Sequence, residues 1–156
     1  MNPKIRFAKP KDVSSIMQLI QELAVYENEP NAVDIDEDYL KKYGFGDHQA
    51  FKCLVAENET GEILGMALFY NRFSTWKGLT IHLEDLIVKQ KHRKKGIGKA
   101  LFEALIKHAK AENINRLEWV VLDWNTDAIA FYESYGAKVF QEWRTVQMDK
   151  ETIQKF

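Results

Sequence analysis

The sequence predicts an α/β fold: a mixed central sheet, antiparallel in its first half, with helices on both faces. Three observations lead there. Two apolar runs, Phe51 to Glu57 and Ile63 to Asn71, are separated by Asn58-Glu59-Thr60-Gly61, whose turn chemistry is that of an antiparallel hairpin. A third run, Leu79 to Val88, gives way through the glycine loop Arg93-Lys94-Lys95-Gly96-Ile97-Gly98 to an amphipathic segment beginning near Lys99 and Ala100. A buried-looking stretch, Arg116 to Leu122, follows that segment, so strand, helix and strand come in the order of a parallel pair.

The remaining elements read in order. Lys4 to Ala8 alternates polar and apolar residues and forms a first strand. Pro10 interrupts it, and Asp12 stands where an N-cap belongs. Val13, Ile16, Met17, Ile20, Leu23 and Ala24 recur at helical spacing, and Tyr26-Glu27-Asn28-Glu29-Pro30 ends that helix. A second, acidic helix is expected over Asp34 to Lys42, closed by Gly44 and Gly46, its carboxylates forming a solvated face. Ser74-Thr75-Trp76-Lys77-Gly78 turns the chain into the Leu79 to Val88 strand. After the glycine loop, Ala100, Leu101, Ala104, Leu105 and Ala109 make an apolar stripe. Asn125 caps a short helix through Tyr132 that ends at Tyr135-Gly136, and Ala137 to Met148 returns as a final strand.

Bulk properties narrow the function. A chain of 156 residues is expected to form one domain spanning 1–156, with a sizeable core. A formal net charge of -1 argues against a nucleic-acid partner, because such domains carry a clear basic excess. Cys53 is the only cysteine, so no internal disulfide can form, and its apolar neighbours make it a small core residue. No apolar stretch approaches ~18 residues and Met1-Asn2-Pro3-Lys4 opens no signal-peptide core, so a cytoplasmic protein without membrane contact is expected. No metal site is expected.

Leu83 to Lys99 carries the chemistry. Backbone N–H groups at a helix start are unpaired and the helix dipole favours negative charge there, so strand, basic glycine loop and helix together suit an anion. Gly96 and Gly98 let the backbone approach a ligand closely. The loop reads as a pyrophosphate cradle, although a basic connection without a ligand has the same composition. A P-loop would need Ser or Thr after Gly98-Lys99, where Ala100 stands; a dinucleotide fingerprint would need a third glycine at Leu101.

The spacing Arg93-x-x-Gly96-x-Gly98 resembles the acyl-CoA motif of the GCN5-related N-acetyltransferases (GNAT), and the element order resembles their fold over essentially the whole chain. The resemblance implies acetyl-CoA as the cofactor. Amine acetylation requires a held thioester, a group that takes a proton from an ammonium, and an acid for the departing thiolate. Tyr132, in Phe131-Tyr132-x-x-x-Gly136, resembles the family's acid, and a phenol of pKa ~10 suits the protonation of a thiolate. Glu84 is the candidate base. Strand alternation sends Glu84 and Asp85 to opposite faces, so both cannot reach one pocket unless a bulge intervenes, and the family resemblance implies one near Asp85 to Leu86. Asp85 reads equally as a structural hydrogen-bonding group. Tyr26, Glu27, Trp76, Glu84 and Asp85 combine aromatic faces with carboxylates, which suits a cationic amine. Trp119, Trp124 and Trp143 are taken as packing residues.

Four further pieces, Glu22-Leu23-Ala24-Val25-Tyr26-Glu27, Gly44-Phe45-Gly46, Cys53-Leu54-Val55-Ala56-Glu57 and Leu83-Glu84-Asp85, are similar to the diamine acetyltransferase group, which includes the spermidine/spermine N1-acetyltransferases. The likeness implies that Glu84 relays the proton and Tyr132 is the acid. It implies that Leu86, Ile87 and Val88 meet the pantetheine arm, with Asn125 a further coenzyme contact. Arg93, Lys94, Lys95, Gly96, Ile97, Gly98 and Lys99 would then hold the pyrophosphate. Ser74 departs from the polyamine enzymes, which have an acid two places before the loop tryptophan. Ser74-Thr75-Trp76-Lys77-Gly78 and Val121-Leu122-Asp123-Trp124-Asn125 resemble the thialysine-acetylating branch, so a short primary amine is the expected acceptor and a homodimer the expected assembly. Two other functions fit the same residues: acetylation of a protein lysine or N-terminus, and acyl-CoA sensing without turnover. The presence of both Glu84 and Tyr132 speaks against the sensor.

Overall fold

The first half of the chain is an antiparallel meander, as its hairpin signals require. The computed structural model describes residues 3–156. The start of the chain at Met1-Asn2, considered above for a leader, lies outside the described residues. β1 (Lys4–Phe7), β2 (Lys52–Glu57), β3 (Ile63–Ser74), β4 (Gly78–Val88) and β5 (Arg116–Glu118) lie side by side in that order. Every pairing is antiparallel except β4 with β5. The helices are α1 (Val13–Tyr26), α2 (Glu37–Phe45), α3 (Ile97–Ala111), α4 (Thr126–Glu133) and α5 (Lys150–Ile153).

The sheet and the helices up to α3 form one compact unit, which ends at Trp119; Val120–Phe156 form a second. In the first unit the pleat sorts the core. Val13, Ile16 and Leu19 of α1 and Leu40 of α2 pack on Cys53, Val55, Met66, Leu68 and Ile87. The alternate residues Ala67, Phe69, Ile81 and Leu83 are also buried, on the face where α3 brings Leu101, Phe102 and Leu105. A sheet covered on both faces explains why β2 and β3 read as unbroken apolar runs. Cys53 is buried, as its neighbours imply, and burial first, then Asp85 and Asp12, pushes its thiol up.

Three local expectations are corrected. Asp12 does not cap α1, because its own backbone is already helical, with φ -87 and ψ -5. Its carboxylate instead accepts from Lys9 N–H at 2.7 Å and from Arg6 Nη1 at 2.7 Å and Nη2 at 3.0 Å, closing a 3₁₀ turn at Pro10–Asp12. α2 begins at Glu37, not Asp34: Asp36 Oδ1 accepts from Tyr39 N–H at 2.8 Å, which fixes the helix start. Gly44 lies inside that helix, where the Phe51 ring would collide with any Cβ, and Gly46 is its C-cap.

The second unit departs most from expectation. β5 stops at Glu118, so Trp119 to Leu122 is not strand, and residues 137–148 form no strand either. A strand exists through its hydrogen-bond ladder, and among the described residues none pairs with that stretch. Its Trp143 is 72% exposed, so it does not pack as expected, whereas Trp119 makes an edge contact with Phe102 at 5.5 Å. No helix among the described residues is long and apolar enough to cross a membrane.

Candidate active site

β4 delivers the chain to the start of α3 through a 3₁₀ turn at Gln90–His92. Gly96 is the α3 N-cap, with φ 80, and no side chain caps the helix there. The first intrahelical bond is Ala100 N–H to the Gly96 carbonyl at 3.0 Å. The amides of Ile97, Gly98 and Lys99 precede it and point out of the helix start. Nothing lies within 4 Å of where a Gly96 Cβ would be, so a ligand has room to reach the backbone. Lys94 is held at φ 60, a strained value for a residue with a side chain. Lys94, Lys95 and Lys99 are exposed around this opening, and Ile97 is buried and anchors it. Uncapped amides, an open glycine and a ring of lysines fit a pyrophosphate.

Arg93 behaves differently from its neighbours. Its Nε donates to the Val88 carbonyl at 2.9 Å, and its guanidinium lies over the Tyr26 ring, 4.7 Å from the centroid. Nη2 is 3.7 Å from Glu22, whose Oε1 also accepts from Gln90 N–H at 2.7 Å. Arg93 therefore fastens the cradle to β4 and to the C-terminal turn of α1.

On its other edge β4 is partly open. The β4–β5 ladder covers Thr80, Ile81 and His82, so Leu86, Ile87 and Val88 face no strand on that side among the described residues. Such an edge leaves backbone groups outside any ladder, apart from the Val88 carbonyl that Arg93 Nε already occupies.

The bulge that the family resemblance implies is present, one residue before the expected place. Leu68 pairs with Asp85 and Phe69 with Leu83, leaving Glu84 as the extra residue. Asp85 thereby joins the face of Leu68, and so does His82, which pairs with Tyr70. Glu84 reaches that face too, since its Oε2 is 3.6 Å from His82 Nε2. Burial first, then the charges of Glu84 and Glu27, pushes the Asp85 carboxyl up to about 7. Burial also raises the Glu27 carboxyl, at the C-cap of α1. The charges of Glu84 and Glu27 thus both reach Asp85, which is held near neutral pH. Trp76 is 81% exposed in the β3–β4 turn, where Ser74 Oγ accepts from the Trp76 and Lys77 amides at 3.2 Å each.

In the second unit, Asn125 Oδ1 accepts from Ala128 N–H at 3.4 Å and caps α4, as its type and position imply. Tyr132 lies in α4, half-buried, with its phenol pushed up to about 12 by burial. Gly136, at φ 82, follows the helix end.

Sequence reasoning missed the polar cluster beside Glu84: Tyr70 and Arg72 on β3, His82 on β4, Arg116 and Glu118 on β5. Alternation does bring His82 and Glu84 to one side, two residues apart. Arg72 and Glu118 join them only through the strand register, which no local pattern reveals.

Residues 14–137 match the model of the acetyltransferase (GNAT) family. Among curated proteins the chain is similar to the thialysine N-epsilon-acetyltransferase of Bos taurus, 37% identical across 97% of this chain and 95% of that one. It is also similar to the human spermidine/spermine N(1)-acetyltransferase-like protein 1, 34% identical across 96% of this chain, which spans 23% of that longer protein. Among solved structures, an integron cassette protein from the mobile metagenome of V. cholerae superposes with a TM-score of 0.80 at 26% identity, covering 99% of this chain and 97% of the other. An α/β sheet whose fourth strand runs into an uncapped glycine helix start, matched across this length, places the chain in the GNAT family of acetyltransferases.

Proposed function

We propose that the chain transfers the acetyl group of acetyl-CoA to a primary amine of a small molecule, with thialysine, a diamine or a polyamine as the acceptor class. One strand carries the reading. β4 ends at a helix start suited to a pyrophosphate, and bears on its bulge carboxylates suited to an ammonium. Acetyl-CoA, when bound, supplies the acetyl group as a thioester. Lys94, Lys95 and Lys99, with the amides of Ile97 and Gly98, would hold its phosphates. The open edge of Leu86, Ile87 and Val88 would hold its arm, and Asn125 would add a contact.

On the amine side, Asp85 and Glu27 would pair with the ammonium, beside Tyr26 and Trp76. Glu84 would accept its proton, directly or through a water, so that the amine attacks the thioester in a ternary complex. Tyr132 would return a proton to the leaving sulfur, and a phenol raised to about 12 carries that proton throughout neutral pH. The full-length likeness to a thialysine enzyme and the Ser74-Thr75-Trp76 turn support a short amine over a polyamine. We take the working form to be one catalytic domain in a cytoplasmic homodimer without nucleic-acid or membrane partners, on family resemblance and the net charge of -1. Light scattering measures the dimer.

The test is thiol release from acetyl-CoA against spermidine, putrescine, thialysine, lysine and a lysine-containing peptide. Turnover on a small amine is expected. Turnover on the peptide alone would move the chain to the protein-modifying enzymes. Tight coenzyme binding without turnover on any acceptor would leave a sensor. Tyr132→Phe is expected to lose ~10²-fold or more in kcat, the scale of general acid–base catalysis; full activity would remove the assigned acid.

A further inference from the structure

We propose that His82 is a positioning residue that holds Glu84 through a neutral imidazole whose tautomer is dictated by Arg72. The proposal rests on Glu84 being the proton acceptor, and it deepens that reading by naming what orients the carboxylate.

The register builds the arrangement. His82 is paired with Tyr70 on β3 and with Glu118 on β5, and the next row joins Arg72, Thr80 and Arg116. The imidazole lies against the Tyr70 ring, with centroids 5.2 Å apart and planes at 31°. Arg72 Nη1 is 3.2 Å from His82 Nδ1 and 2.6 Å from Glu118 Oε1, while Glu118 Oε2 lies 2.7 Å from Arg116 Nε as an ion pair. A guanidinium has donors and no acceptor, so Nδ1 must be the acceptor of that contact. The proton of a neutral ring then sits on Nε2, the atom that faces Glu84 Oε2 at 3.6 Å.

Burial and Arg72 together keep the ring neutral. Burial, then the Arg72 charge, lowers its affinity for a second proton, and outweighs the Glu84 and Glu118 carboxylates that act the other way. A second proton on Nδ1 would also meet the Arg72 donor head-on. Tyr70 stays protonated: burial, then the Glu84 charge and a hydrogen bond to Glu84 raise its phenol, so His82 shares the carboxylate with a second neutral donor.

A neutral donor suits a base on an exposed bulge. It limits the rotation of the Glu84 carboxylate toward solvent without cancelling the charge that must take the amine proton. A cation at the same place would stabilise the carboxylate and weaken it as a base. The gap of 3.6 Å is longer than a hydrogen bond and closes in a ternary complex or through one water.

The experiment compares three variants in amine-dependent thiol release across pH, with imidazole nitrogen NMR on the wild-type protein. Nitrogen shifts should report an unprotonated Nδ1 and a protonated Nε2 at pH 7. His82→Phe keeps the ring against Tyr70 but removes the donor; kcat should fall ~10-fold with the KM for acetyl-CoA unchanged, and the acid limb should move to higher pH. His82→Gln places an amide donor near Nε2 and should recover most of that loss. Glu84→Gln reads the underlying assignment separately. If Glu84→Gln is impaired while His82→Phe keeps wild-type kcat and pH profile, the positioning role is overturned and the base stands. If Glu84→Gln retains full rate, the base assignment falls and the positioning role falls with it. A protonated Nδ1, or a His82→Gln no better than His82→Phe, also overturns the proposal.

Discussion

The Arg93 guanidinium lies 4.7 Å from the centroid of the Tyr26 ring, so the proposed coenzyme loop and the C-terminal turn of α1 are in direct contact. Tyr26 was expected among the amine-binding residues and Arg93 among those that hold pyrophosphate. The two proposed ends of the site thus share one cation–π pair. Such a partly exposed pair is worth about 0.5–1 kcal/mol. A double-mutant cycle of Tyr26→Leu and Arg93→Met, read as the dissociation constant of coenzyme A, should show a coupling of that size. Additive effects would mean that the contact does not bear on the coenzyme.

Asp85 makes stability fall as pH rises. Burial, Glu84 and Glu27 raise its carboxyl to about 7, against ~3.9 in an unfolded chain. Between those values the folded protein holds a proton that the unfolded chain has released. Unfolding then releases a proton, and stability drops by roughly 1.4 kcal/mol per pH unit until Asp85 ionises in the fold. Asp85→Asn should remove that slope, so urea unfolding of the variant and wild type should differ more at pH 8 than at pH 5, with the variant gaining relative stability. Equal differences at both pH values would place Asp85 in an ordinary solvated range.

What could be read from the sequence was what residues fix locally. The Asn125 cap and the Ser74 turn each depend on a few adjacent side chains and formed where their signals lay, whereas α3 begins at Ile97, ahead of the start expected near Lys99 and Ala100. Pairing across strands was less legible. The Glu84 bulge fell one residue from its expected place, because apolar and acidic residues alternate ambiguously through Leu83-Glu84-Asp85-Leu86. Ala137 to Met148 has strand-like residues, but a strand needs a ladder and propensity cannot supply one. His82 went unremarked for the same reason: its partners Arg72 and Glu118 come from two other strands.

The Arg6 fork should govern acid stability independently of catalysis. Arg6 Nε and Nη2 each donate to Glu57 at 2.9 Å, while Nη1 and Nη2 hold Asp12. The Arg6 hydrogen bond holds the Glu57 carboxyl below its usual range. For Asp12, burial pulls upward, but the Arg6 hydrogen bonds and the Lys9 amide outweigh it and keep the carboxyl low. Groups depressed in this way stabilise fully above the ordinary carboxylate range and lose that contribution as pH falls through their folded values. Asp12→Asn should cost about 2 kcal/mol at pH 7, the scale of hydrogen bonds to a charged group, and less as the pH is lowered. Urea unfolding at pH 7 and pH 3 measures both, and a loss that is constant with pH would contradict the assignment.

Gly98 separates binding from folding. It lies in the first turn of α3, and a Cβ there would sit 3.6 Å from Val88 Cγ2, an ordinary contact. Alanine is preferred to glycine inside a helix by about 0.5–1 kcal/mol, so Gly98→Ala should leave the melting temperature unchanged or raise it. The added methyl group, however, stands at the helix start proposed to receive the pyrophosphate. The KM for acetyl-CoA should rise ~10-fold, equivalent to ~1.4 kcal/mol, in a protein at least as stable as the wild type. Gly96→Ala should behave differently: at φ 80 an alanine is strained, so stability should fall by about 1–2 kcal/mol, although the space around the new Cβ is open. If Gly98→Ala bound acetyl-CoA as tightly as the wild type, the α3 N-terminus would not be where the phosphates sit.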